Sequence, residues 1–187
     1  MAPLPQNMTL SEFIAWEEFQ EFKHEFSDGT VSLFPGGTKR HAALAGEIYA
    51  FLLAELRNTP CRAFIMDVLT TTENSARYPD VVVTCDERDT SDMSGRTLEH
   101  PKLLVEVLSE STAHVDRGQK LREYTTIDTL EEYFIIDSDR RWAAAYRRAN
   151  GWAMSSPVSD GSFELASLGV ILDLDTLFER AGVPVRE

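Results

Sequence analysis

The sequence predicts a mixed α/β (α+β) domain in which helices flank a mixed central β-sheet. Three observations carry that expectation. Helix-period apolar patterns lie near the start and end of the chain, Val- and Leu-rich strand-like runs fill its middle, and tight-turn pairs such as Asp28-Gly29 join neighbouring extended segments. At 187 residues the chain is expected to form one domain, residues 1–187, with a core large enough to be stable.

Each element has its own local cause. Thr9-Leu10-Ser11-Glu12 has capping-box spacing, and Met8 and Phe13 stand where a hydrophobic staple would put them, so a helix is expected from 10 to about 19. Extended segments 22–26 and 31–34 flank Asp28-Gly29, whose positive-φ preference predicts a β-hairpin. After Gly36-Gly37-Thr38, Leu44, Ile48, Phe51, Leu52 and Leu56 recur at helical spacing until Asn58 and Pro60, giving the strongest helix signal. Strands are expected at 62–70, 80–85 and 103–108, separated by polar loops. A turn at 109–112 precedes a helix from about 116 to 126. Segments 133–137, 142–148 and 151–157 read as a strand meander turning at Asn150-Gly151. A last helix over 174–180 stops at Gly182 and Pro184.

Thirty-one acidic residues against eighteen Lys plus Arg give a net charge of −13, which opposes nonspecific attraction to nucleic acid. Screening confines distant charge to about 10 Å at ~0.1 M salt, so a local basic rim can still govern a cleft. The N-terminal residues lack the basic and apolar stretches of a signal peptide, and the longest apolar run is far too short to span a bilayer. The chain therefore reads as cytoplasmic, with no membrane partner. Cys61 and Cys85 lack metal-ligand spacing and read as inert, partly buried thiols in a reducing compartment, with a disulfide or reactive thiol as the alternative.

The clearest chemical signal is a pair of acids on apolar strands. Asp80 stands in Tyr78-Pro79-Asp80-Val81-Val82-Val83, and Glu106 in Leu103-Leu104-Val105-Glu106-Val107-Leu108. A buried ionised acid costs several kcal/mol unless paired, and a shared divalent cation would pair both. Two carboxylates are the protein ligands that Mg²⁺ commonly takes, and the Val107 backbone carbonyl could add a third oxygen. A salt bridge across the sheet is the alternative. Lys120, on the helix after that strand, is the best local amine for stabilising a developing anion, although an i,i+4 surface pair with Asp116 would explain it equally.

The ordered motifs resemble the Uma-two family of restriction-endonuclease-like proteins. They are Pro79-Asp80-Val81-Val82-Val83, Val105-Glu106-Val107-Leu108-Ser109-x-Ser111-Thr112 and Asp116-x-x-x-Lys120-x-x-x-Tyr124. Phe13-x-x-Trp16, Asp28-Gly29, Pro35-Gly36-Gly37-Thr38-x-Arg40-His41, Leu130-Glu131-Glu132-Tyr133 and Leu165 to Leu172 extend the likeness over about 8–180, leaving short flexible termini. The resemblance implies the PD-(D/E)XK nuclease fold, a restriction-endonuclease-like sheet preceded by an N-terminal helix and hairpin and followed by the meander. It implies Asp80 and Glu106 as metal ligands and catalytic acids, Mg²⁺ or Mn²⁺ as cofactor, and Glu25 as a further acid, with Glu47 a weaker candidate. The superfamily lysine falls at Leu108, which carries no amine, so Lys120 is the substitute. Glu110 replaces a proline frequent in the family's turn.

Substrate contacts are expected from Lys39, Arg40 and His41 at a helix start, and from Arg117 and Tyr124 beside Lys120. Arg122, Arg140, Arg141, Arg147 and Arg148 could form basic rims, whereas Trp16, Trp142 and Trp152 read as packing residues. The implied activity is hydrolysis of phosphodiester bonds in nucleic acid, DNA first, and a C₂ homodimer is expected because two copies of one site can cut two strands. A catalytically silent binding or regulatory module on the same fold is the alternative.

Overall fold

Capping starts the first element as its spacing requires: Thr9 and Glu12 complete the capping box of α1 (Leu10–Glu17). The helix ends short of 19 because Phe19 is 84% exposed and has no core to join. The computed structural model describes residues 4–34, 36–109 and 113–185, so Pro35 of the glycine-rich motif and the 110–112 part of the expected turn, with Glu110, lie outside the described residues.

The hairpin of β1 (His24–Ser27) and β2 (Thr30–Leu33) turns at Asp28 and Gly29, with φ of 47° and 82°. Helix α2 (Lys39–Glu55) follows the Thr38 cap and buries Leu44, Ala45, Ile48 and Leu52. The single strand expected over 62–70 is two strands in different sheets. β3 (Arg62–Ile65) ends where Met66 takes φ 58°, and β4 (Leu69–Thr71) starts after that break. β5 (Ser75–Arg77) occupies an expected loop; its polar sequence hides a strand held between β1 and β4. Then come β6 (Val81–Thr84), the short α3 (Glu87–Thr90), β7 (Thr97–Leu98) and β8 (Pro101–Leu108).

The helix expected at 116–126 is a composite: α4 (Ala113–Val115), a π-helical turn Asp116–Lys120, and α5 (Leu121–Tyr124). β9 (Glu132–Asp137) and β10 (Ala143–Arg147) form the expected hairpin. The third meander strand does not form. Segment 151–157 contributes one isolated bridge, Tyr146 to Met154, and the Ser155 hydroxyl accepts from the Ala145 N–H. A further hairpin, β11 (Ser162–Leu165) with β12 (Val170–Asp173), precedes α6 (Leu174–Ala181), which ends on Gly182 at φ 70°.

These elements make a mixed central sheet in the order β10-β9-β8-β6-β3 and a second sheet in the order β2-β1-β5-β4-β7. The central sheet is covered on both faces. Val81, Val83, Leu103, Val105 and Val107 pack towards α2 and α6, whereas Val82, Leu104 and Leu108 join Tyr124 and Tyr133. Double coverage is why these strands read as unbroken apolar runs.

The thiol reading of the cysteines is corrected: Cys61 and Cys85 form a disulfide. The antiparallel register that sets Arg62 opposite Thr84 brings the two cysteines face to face at its next step, which their sequence spacing could not show. Among the described residues no helix is long and apolar enough to cross a membrane.

Candidate active site

Register also creates the site. Val81 pairs with Val105 in the antiparallel β6–β8 ladder, so the next step outward places Asp80 opposite Glu106. The two residues are 4% and 3% exposed. Asp80 Oδ2 accepts the Val107 N–H at 2.7 Å and lies 3.3 Å from His41 Nε2. Glu106 Oε1 accepts from Lys120 Nζ at 2.9 Å and from the Tyr124 hydroxyl at 2.8 Å.

Lys120 joins the acids from the π turn. Its ammonium is 3.1 Å from Asp116 Oδ1 and 3.8 Å from Glu25 Oε1. π turns recur at functional sites because they redirect side chains without ending the helix. Here Asp116 and Lys120 are both buried, so their i,i+4 pair belongs to the interior rather than the surface. Glu25 is positioned in turn by Arg77, whose Nη1 donates to Oε2 at 3.0 Å, and by the Tyr78 N–H. The same guanidinium grips Glu123 with two bonds of 2.8 Å.

Asp80, Glu106, Lys120, Glu25, His41 and Asp116 line one cleft of about 400 Å³. Acids outnumber bases there, with consequences for protonation. Burial, then Asp116 and Asp80, push the Glu106 carboxyl well above its usual range against the opposing pull of Lys120. Burial would strip Lys120 of its proton, but Glu106, Glu25 and Asp116 outweigh it and hold the ammonium charged. Burial and the Glu106 charge raise Tyr124, keeping its hydroxyl a donor. Burial would lower His41, yet its hydrogen bond and charge interaction with Asp80 raise it.

The remaining sequence candidates lie elsewhere or act indirectly. Tyr124 is fully buried behind Glu106. Lys39 and Arg40 border a separate shallow groove, where Arg40 pairs with Asp139 at 3.1 Å. The Arg117 guanidinium sits 4.4 Å above the Trp142 ring, and Trp152 carries Arg148 similarly. Glu47 pairs with Arg180. Arg140, Arg141 and Arg147 pair with Asp137, Asp175 and Glu132, so they form no free basic rim. Sequence reasoning missed Asp116 as a member of the cleft, although its four-residue spacing from Lys120 was the available signal. It also missed Arg77, which lies on a strand without an apolar pattern, and Glu123, which follows Lys120 on α5.

The chemistry of the donors suits a hard cation. Both described contacts to Glu106 use Oε1 and both to Asp80 use Oδ2, so one oxygen of each is uncommitted among the described residues. Burial first, and then Asp116 and Asp80, work against a charged Glu106, and a cation beside it would work the other way. Among the described residues no group of three or more His, Cys, Asp and Glu is arranged to hold a metal.

The Uma2 family model, described as "Putative restriction endonuclease", matches residues 10–175. The chain belongs to the Uma2 family. The Synechocystis protein slr1290 is 32% identical over 181 residues, covering 95% of this chain and 94% of the relative. A second Synechocystis protein, sll1609, is 33% identical over 132 residues, covering 70% and 75% of the two chains. The crystal structure of an Anabaena variabilis protein, described as a "putative nuclease belonging to DUF820", superposes with a TM-score of 0.78 at 19% identity. The match covers 93% of this chain and 99% of that one, and establishes the shared fold.

Proposed function

We propose that this Uma2 protein is a metal-dependent endonuclease that hydrolyses phosphodiester bonds in DNA, with Mg²⁺ or Mn²⁺ as cofactor. The supporting observation is the meeting of Asp80, Glu106 and Lys120 in one cleft. Asp80, Glu106 and the Val107 carbonyl would hold the ion, which when bound supplies an activated water and charge neutralisation at the phosphate. Lys120 keeps its ammonium at neutral pH and is placed to orient a water or face the developing anion. Glu25 positions Lys120 while Arg77 holds Glu25. A C₂ homodimer would present two such clefts and permit cutting of two strands.

The test is Mn²⁺-dependent nicking of a supercoiled plasmid. Wild-type protein should nick, and Asp80→Asn protein should not; equal nicking by both removes Asp80 from the chemistry. One observation favours a second reading, a silent nuclease-fold binding module: three carboxylates enclose the Lys120 ammonium. Calorimetric Mn²⁺ binding without cleavage of DNA or RNA would favour that reading.

A further inference from the structure

The cleft has two unlike walls. Its floor is the buried acids and Lys120, whereas one side of its rim is apolar, formed by Leu33 and Phe34 at the end of β2 and by Met66 after β3. This rim is held in place from several sides. The Phe34 ring meets Tyr78 edge-on with centroids 5.8 Å apart, and its N–H donates to the Lys23 carbonyl at 2.8 Å. Lys23 Nζ lies 5.8 Å from the Phe34 centroid and donates to the Met66 carbonyl at 3.0 Å. Met66 keeps a left-handed φ of 58°, which costs a non-glycine residue energy, and its N–H donates to the Asp80 carbonyl at 3.1 Å. The backbone that carries the acid therefore also anchors the rim.

Three constraints narrow what enters. A volume of about 400 Å³ is that of a small-ligand site, which suits one nucleotide and not a double helix. Asp80 and Glu106 are so deeply buried that a phosphate must come into the cleft to reach them. The chain's charge of −13 repels nucleic acid, and a duplex carries one charge per roughly 1.7 Å of axis against roughly 3.4 Å for one strand.

We propose that the cleft takes an unpaired DNA strand, with one base stacked on the Phe34 ring against Met66 and its phosphate directed to the acidic floor. Aromatic stacking tolerates any base and rewards a strand whose bases are free, so the rim selects for strandedness rather than sequence. The inference rests on the nuclease reading above and adds the class of substrate.

Two measurements separate the two. In the first, Mn²⁺-dependent cleavage of a labelled single-stranded oligonucleotide is compared with that of the same sequence as a blunt duplex. The single strand should be cut faster by about tenfold or more, and Phe34→Leu, which keeps apolar bulk but loses the ring face, should slow that cutting by about tenfold. Phe34→Trp should restore it. In the second, fluorescence anisotropy measures binding of both oligonucleotides to Asp80→Asn protein, with circular dichroism confirming that each variant is folded. Preference for the single strand without cleavage by wild type would reject the nuclease and keep the strand-selective cleft. Equal cutting of duplex and single strand, or a folded Phe34→Leu protein indistinguishable from wild type, overturns the proposal while the nuclease stands. Absence of both binding and cleavage overturns both.

Discussion

His41 Nε2 lies 3.3 Å from the same Asp80 oxygen that accepts the Val107 N–H, so one carboxylate oxygen is held from a helix and from a strand. The ring reaches this position because residue 37 is glycine: a Cβ there would meet His41 Nδ1 at 2.9 Å. Groups that orient a metal ligand typically change affinity by about 10–100-fold when removed. His41→Ala should therefore weaken Mn²⁺ binding by about tenfold in calorimetry, with Gly37→Ala causing a smaller loss in the same direction. Unchanged affinity in His41→Ala would show that the Val107 amide alone orients Asp80.

Lys120 supplies the positive charge shared by Glu106, Asp116 and Glu25. Breaking a buried charge pair by removing one partner costs about 3–5 kcal/mol. Lys120→Met should be destabilised by that order in urea at pH 7, and should recover part of the loss in acid as the Glu106 carboxyl, already raised, protonates. The wild-type lysine contribution has the opposite character. Its pKa is raised, so its stabilising effect is complete below the ordinary value of 10.5 and is lost only as pH rises through the higher folded value.

Glu106 behaves in reverse. An acid whose folded pKa lies above its ordinary 4.5 favours the fold most while protonated, and that advantage disappears as pH rises through the folded value. In EDTA, Glu106→Gln, which mimics the protonated acid, should therefore gain stability relative to wild type as pH rises, which urea denaturation over a pH series checks. Adding Mn²⁺ should raise the wild-type melting temperature and leave Glu106→Gln unmoved. A wild type that Mn²⁺ fails to stabilise would count against Glu106 as a ligand.

The Cys61–Cys85 bridge joins the edge strand β3 to β6 and spans 24 residues of sequence. Closing a loop of this size contributes about 3 kcal/mol in the chain-entropy model. Reduction by dithiothreitol, or Cys61→Ser, should lower the melting temperature by several degrees, and alkylation should find no free thiol before reduction. Ready alkylation of the untreated protein would place both cysteines in the reduced state.

Asp80 and Glu106 were legible because strands buried on both faces leave continuous apolar runs in which a single acid is conspicuous. The helices α2 and α6 were legible from periodicity and from their caps. What escaped depends on register and on helix phase. Cys61 with Cys85, and Glu25 with Arg77, meet only because antiparallel ladders fold them opposite one another. β5, with its Ser-Ala-Arg sequence, shows no strand pattern because neighbouring strands supply its pairing. Segment 151–157 looked like a strand but pairs through one isolated bridge, Tyr146 to Met154. Asp116 and Lys120 have surface-like helical spacing, and only the π turn beside Tyr133, whose hydroxyl donates to the Asp116 carbonyl at 3.1 Å, accounts for both being inside.

That π turn also ties the cleft to the fold. A π segment is an α-helix carrying one surplus residue, and in an α-helix each residue advances the azimuth by roughly 100°. Were Asp116–Lys120 to relax into regular α phase with all five residues kept, the surplus residue would swing the Lys120 amine by about 100°, away from the acids, and would carry Tyr124 out of the apolar layer it fills. One extra residue in one turn thus sets both where the amine stands and how the helix packs.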